Sequence, residues 1–255
     1  MTPPLATTFP CTQSAKVSMP GGTKNRSSEL PNAGLVAHIG PVKDLADRII
    51  DHYERHARQW DADRRNAGWN DKSWHDRFIA ALSEGATVLD LGCGSGSPVA
   101  LNMVACGLQV TGVDASPTLI SLCRDRLPEE EWIVADMRSL TLNRQFDGVL
   151  AWDSFFHLSP DDQRRMFDVF AAHATSSAVL MFNTGPAYGE AVGQYQGDPL
   201  YHASLDAAEY EALLGRVGFD VASHVIEDKE AGGRTAWLTR RRTTQGELGS
   251  TFPTR

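Results

Sequence analysis

The chain has 255 residues, 42% of them hydrophobic and 22% charged, with a formal net charge of -8, which suits one soluble globular domain rather than a disordered chain. The acidic balance excludes a broad grip on phosphate backbones, which needs clustered Lys and Arg; the one basic run, Arg240 to Arg242, closes a predicted strand and reads as a solvated edge. Four cysteines (Cys11, Cys93, Cys106, Cys123) form no CxxC pair and have no zinc-type His spacing, and no apolar run nears the ~20 residues needed to span a bilayer.

A cytoplasmic protein without a metal, a membrane or a nucleic-acid partner is therefore the expectation. The first 40 residues are rich in Pro, Ser, Thr and Gly and nearly free of acidic side chains. They read as a disordered extension, with a targeting segment or a start placed too early (Met19 being the later one) as alternatives.

After Pro41 the pattern turns helical, with Leu45, Ile49, Tyr53, His56 and Trp60 three or four residues apart on one face. A second amphipathic helix spans Ser73 to Leu82 and ends at Gly85. From Ala86 onward short apolar runs alternate with helical segments, the signature of a parallel sheet flanked by helices. The runs 86–91, 108–113, 131–135, 146–151, 177–183, 219–226 and 233–239 are predicted strands, and 97–106, 117–127, 160–174 and 206–217 predicted helices.

Ser116-Pro117 and Ser159-Pro160 place a capping hydroxyl before a proline at the first helical position, Asp206 with Glu209 reads as a capping box, and Gly218 closes that helix. The last two strands have no helix between them and should pair antiparallel, and residues 243–255 read as a tail. The expected fold is α/β: a Rossmann-like, doubly wound seven-stranded sheet, mostly parallel, with an antiparallel C-terminal strand and N-terminal helices. It is one domain over 41–242, with a helical cap at 41–84 and an insertion at 183–204.

The chemistry concentrates at the end of the first strand, where Val88-Leu89-Asp90-Leu91-Gly92-Cys93-Gly94-Ser95-Gly96 runs from a buried strand into a glycine-rich turn and a helix. Asp114, 18 residues beyond Gly96, ends the next strand, where a carboxylate can accept both hydroxyls of an adenosine ribose. Ser97 replaces the third glycine of the dinucleotide fingerprint and Pro98 follows, a poor match to a pyrophosphate that needs an open helix N-terminus.

These residues resemble the class I S-adenosylmethionine-dependent methyltransferases, over roughly residues 42 to 240. The resemblance implies that Asp90, Gly92, Cys93, Gly94 and Gly96 hold the cofactor's methionine moiety and that Asp114, with Ala115 beside it, holds the ribose. It also implies that Asp136 meets the adenine amine while Met137 packs on the ring. The segment Tyr53 to Asp61 is similar to the N-terminal helix that covers the cofactor in small-molecule members, which would put Tyr53 and Trp60 beside the sulfonium; plain packing of both aromatics is the alternative.

After the fourth strand comes Ala151-Trp152-Asp153-Ser154-Phe155-Phe156-His157-Leu158, a loop at a carboxyl strand end and so expected to face the reacting methyl group. Trp152 is assigned to the cofactor and Asp153 to the substrate. The Asn-or-Asp-Pro-Pro-aromatic motif of amino-methylating nucleic-acid and protein enzymes does not occur here, which favours a small-molecule acceptor. His157 is the candidate general base, with packing or hydrogen bonding as the alternative. The 183–204 insertion reads as a lid presenting Tyr188, Tyr195 and His202 to the substrate, or else as a plain surface loop.

The function these readings imply is methyl transfer from S-adenosylmethionine to a small molecule, releasing S-adenosylhomocysteine. Non-methyl chemistry on the same cofactor, a non-catalytic cofactor-binding protein and, last, a nicotinamide dehydrogenase are the alternatives. The sequence leaves the acceptor and the oligomeric state open.

Overall fold

The computed structural model of the protein describes residues 42–242, so the expected extension over 1–40 and the tail over 243–255 lie outside the described residues. Three helices come first: α1 (Val42–Asp47), α2 (Ile49–Asn66) and α3 (Lys72–Ala80). The α/β portion follows as β1 (Thr87–Leu91), α4 (Val99–Ala105), β2 (Gln109–Asp114), α5 (Pro117–Arg126), β3 (Glu131–Val134), β4 (Phe146–Ala151), α6 (Pro160–Ala172) and β5 (Ala174–Thr184). The chain then makes β6 (Gly189–Tyr195), β7 (Asp198–Ser204), α7 (Ala207–Arg216), β8 (Phe219–Asp228) and β9 (Arg234–Arg241). Among the described residues, no helix is long and apolar enough to cross a membrane.

Seven strands form one sheet in the order β3-β2-β1-β4-β5-β9-β8; β1 to β5 run parallel and β9 pairs antiparallel with both neighbours. This is the expected doubly wound architecture. The period of two along each strand divides the core between the two faces. Leu89, Leu91, Val149, Ala151, Leu180, Phe182 and Trp237 join the cluster under α6 and α7, while Val88, Leu150, Val179, Met181 and Ala236 join the cluster with Trp74 and Phe78 of α3. Strand order reverses at β1, between β2 and β4, and there the carboxyl ends open a crevice.

Both Ser-Pro caps form, the Ser116 hydroxyl accepting from Leu119 N–H and the Ser159 hydroxyl from Asp162 N–H. The Asp206 capping box does not: Asp206 accepts from Tyr188 N–H, and Glu209 is drawn away into an ion pair with Arg164. The Arg240 to Arg242 run is not merely a solvated edge either. Arg240 donates to the carbonyl of Ala81, Arg241 to those of Ala171 and Ala174, and Arg242 to that of Gly215. The predicted N-terminal helix is broken at Arg48, and Leu45 on α1 packs with Tyr201 and Ala203 of β7.

Within the 183–204 insertion, Asn183 and Thr184 end β5 and residues 189–204 form an antiparallel hairpin, β6–β7, turned by Gln196 and Gly197 with φ of 52° and 84°. Both central residues at positive φ are what a tight two-residue hairpin turn requires. Its strands lack the apolar alternation of a sheet packed on one face, because most β6 side chains face solvent, and so they read as loop. The hairpin is tied down by one buried network. The Gln163 amide of α6 donates to the carbonyls of Leu158 and Ala203, and its oxygen accepts from the Tyr210 hydroxyl of α7 at 2.5 Å, which in turn accepts from Leu205 N–H at 2.9 Å.

Removing that hydroxyl leaves a buried amide oxygen and a buried N–H without partners. Tyr210→Phe should therefore lower stability by about 1–3 kcal/mol in urea unfolding; a loss within error of zero would show that the network does not anchor the hairpin.

Candidate cofactor and acceptor site

Two adjoining cavities lie at the carboxyl ends of the parallel strands, with about 670 and 380 Å³ of empty space including their openings to solvent. Trp60, Gly92 and Asp153 line both. The larger takes Tyr53, Gly94, Asp114, Ala115, Asp136, Met137 and His157, and the smaller Asp90, Cys93, Gly96 and Trp152. Residues spread over more than a hundred positions of sequence thus meet because β1, β2, β3 and β4 end side by side.

The glycine turn is shaped for close approach. Gly92 has φ of 74°, and a Cβ there would fall 2.3 Å from Ser154 Cβ; at Gly94, φ 56°, it would fall 2.6 Å from the Trp60 ring. Neither position admits a side chain, and the backbone lies open to the cavities instead. Asp114 fixes the turn by accepting from Gly94 N–H and Ser116 N–H, both at 2.9 Å, one on each carboxylate oxygen. Each oxygen keeps a lone pair for a ligand.

Asp90 is buried and Asp114 half-buried, both without a cation. Desolvation, and for Asp90 also the charge of Asp114, pushes Asp90 up to about 7; desolvation, partly offset by the backbone donors, pushes Asp114 up to about 6. The remaining carboxylates are compensated. Burial opposes the charge of Asp153, but Arg234 donates to both of its oxygens at 2.5 and 2.7 Å and Asn183 adds a bond at 2.9 Å, holding it below the usual carboxylate range. Asp153 thus lines the site as half of an ion pair rather than as a free substrate acceptor. Asp136 is likewise gripped on both oxygens by Arg138, so an adenine amine would share it.

Sequence reading overlooked Arg64, on α2 one turn after Trp60. Its guanidinium lines the smaller cavity, 3.4 Å from both Asp71 and Asp153, and faces the same space as Asp90. A carboxylate and a guanidinium across one small cavity suit the zwitterionic end of an amino acid. Asp71 beneath it is fully buried and accepts the Trp152 indole N–H at 2.8 Å, which sets the ring that walls this end. Ile49, Ile50 and Ser154 also line the larger cavity.

His157 is less free than a general base needs. Its Nδ1 lies 2.7 Å from the Tyr201 carbonyl, which can only accept, so the proton sits there; Nε2 then accepts from the Tyr53 hydroxyl at 2.7 Å. Burial, and secondarily His202, lowers its pKa to about 3. The geometry favours an orienting role through Tyr53.

The insertion residues separate. His202 packs on Phe156 and His157 and lines a third cavity, with about 850 Å³ of empty space including its opening to solvent. Tyr195 instead turns to α2, bonding Asp63 at 2.7 Å, and Tyr188, just before β6, is 60% exposed; neither lines these cavities.

Comparison with known proteins bears on this site. Residues 88–176 match a family described as "Methyltransferase domain". Magnesium-protoporphyrin O-methyltransferase of Rhodobacter capsulatus is 35% identical over 101 residues, 38% of this chain and 44% of the relative. Demethylmenaquinone methyltransferase of Thermotoga maritima is 31% identical over 132 residues, 50% of this chain and 56% of the relative. The chain thus spans about half the length of these curated relatives. Among solved structures, the Burkholderia thailandensis 1,6-didemethyltoxoflavin-N1-methyltransferase, with bound 1,6-didemethyltoxoflavin and S-adenosylhomocysteine, superposes with a TM-score of 0.63. It is 18% identical, over 83% of this chain and 95% of that one, a likeness of fold.

The raised pKa of Asp90 has a stability consequence. Between about pH 4 and about pH 7 the folded protein retains a proton that the unfolded chain releases, so this group's contribution to stability falls as pH rises through that window. Asp90→Asn removes the penalty, and the variant without cofactor should gain more melting temperature over wild type at pH 8 than at pH 5. An equal difference at both pH values would mean that Asp90 ionises normally.

Proposed function

We propose, from the premise that this chain carries a class I S-adenosylmethionine-dependent methyltransferase domain, that it transfers the methyl group of S-adenosylmethionine to a small-molecule acceptor. The carrying observation is the pairing of an open glycine turn with two uncompensated carboxylates, the buried Asp90 and the half-buried Asp114, under the rings of Tyr53 and Trp60.

The residues fit that cofactor in kind. Asp90 would take its ammonium, Arg64 its carboxylate, Asp114 the ribose hydroxyls, and Met137 with Leu119 the faces of the adenine, Asp136 sharing its amine with Arg138. Bound there, it supplies an electrophilic methyl group on a sulfonium. The protein's own task is then positioning and exclusion of water, which can account for much of the acceleration of a displacement needing little covalent help. Tyr53, locked by His157, and Trp60, seated on Gly94, wall the space from above.

We place the acceptor in the third cavity. Arg234 lines it and at the same time grips Asp153 at the edge of the cofactor cavities, so the two spaces share a wall. Its size is in the range that small ligands occupy. A net charge of -8 argues against a nucleic-acid acceptor, and a cytoplasmic setting fits the thiols of Cys93 and Cys123.

The test is product analysis: S-adenosylmethionine labelled in its methyl group, incubated with the enzyme and a panel of small hydroxyl, amine and acid acceptors. The expected result is label in an acceptor with one S-adenosylhomocysteine formed per methyl transferred; cofactor consumed without S-adenosylhomocysteine would overturn methyl transfer in favour of other chemistry on the same ligand. For His157, the orienting role predicts that His157→Gln lowers kcat less than about tenfold with an unchanged pH profile. A general base would cost about 10²–10⁴-fold and tilt the profile between pH 5.5 and 8.5.

A further inference from the structure

Away from these cavities, α2 presents His52 and His56 one turn apart, and the hairpin brings Asp198, the first residue of β7, against them. The imidazole centroids are 4.9 Å apart, His56 Nε2 lies 2.8 Å from Asp198 Oδ2, and one ligand atom from each of the three residues falls within 4.8 Å of the others. Two histidines at i and i+4 on one helix face, closed by a carboxylate from another element, form a donor set used by zinc-class ions. The expectation of no metal rested on the cysteines and passed over this pair.

A second feature points to a ligand. His52 is only 5% exposed and its Nε2 has no hydrogen-bond partner, an unusual state for a buried polar atom. The charged groups around the cluster are Asp198, Arg55 and Arg48, the last lining the same cavity as His52, Arg55 and Asp198. Arg55 rests on Asp198 Oδ2 and would orient the carboxylate from outside, and among the described residues Oδ1 has no donor.

We propose that His52, His56 and Asp198 bind a divalent zinc-class ion that staples helix α2 to the β6–β7 hairpin. The alternative is a His–Asp pair that docks the hairpin unaided. Because Tyr53 follows His52 in sequence and Trp60 lies two turns on, the ion would hold the cover of the cofactor cavities in place. The site needs neither the cofactor nor turnover, so its test stands apart from the methyl-transfer reading.

The experiment uses the full, untagged chain, stripped with chelator and titrated with ZnCl₂ by calorimetry and by thermal unfolding. The expected result is one high-affinity equivalent per chain, a melting temperature that rises with Zn²⁺ as binding to the folded state requires, and affinity weakened more than about tenfold in both His56→Asn and Asp198→Asn. Both of these side chains are partly exposed, and far-UV circular dichroism checks that each variant keeps its fold. Absence of zinc uptake by wild type, or equal affinity in wild type and either folded variant, would overturn the proposal.

Discussion

Helix α2 lies across the carboxyl ends of the strands, and the polar bonds that pin it there are the constraint on which the site depends. Glu54 reaches the N-terminus of α5, where it accepts from the Ser116 hydroxyl and from Thr118 N–H and Oγ1, at 3.1 and 2.6 Å for the latter two. A carboxylate there also meets the positive end of the helix dipole. One turn or two further on, Asp61 accepts from Arg126 at 2.7 Å, and the same guanidinium donates to the Ser95 carbonyl at 2.8 Å. Cover, α5 and glycine turn are therefore one mechanical unit, and the ring of Trp60 can sit where a Cβ on Gly94 would have been.

Charge compensation decides what that unit can hold. Asp71 and Asp153 are neutralised by Arg64 and Arg234, and Asp136 by Arg138, so they order the protein and add little net attraction for a ligand. Asp90 and Asp114 have no such cation, and burial raises both toward the neutral form. A ligand carrying a positive amino group beside Asp90 relieves that cost, and one carrying only phosphate adds to it. The same accounting separates an adenosine sulfonium from a dinucleotide without recourse to the loop sequence.

What the sequence disclosed follows from how local each feature is. The β1 run into Gly92-Cys93-Gly94, the Ser116 and Ser159 caps and Asp114 at a strand end are short-range patterns, and each stands where it was expected. The β6–β7 hairpin escaped because its outward face carries no apolar period, and Tyr188 and Tyr195, read with it as facing the substrate, line none of the three cavities. Arg64 with Asp71 and Asp153, and Tyr53 with His157, 104 residues away, are pairings made by the topology alone. The broken capping box at Asp206 shows the opposite failure, a correct local motif overruled by a better tertiary partner, Arg164, for Glu209.

The most direct measurement is a calorimetric titration of the protein and its Asp114→Ala variant with S-adenosylhomocysteine and, separately, with NAD. The predicted result is one equivalent of S-adenosylhomocysteine bound by wild type, a loss of roughly 2–3 kcal/mol in the variant as two ribose hydroxyls lose a charged acceptor, and no binding of NAD. S-adenosylhomocysteine affinity unchanged within about a factor of two in the variant, or NAD bound in its place, would contradict the assignment of this crevice.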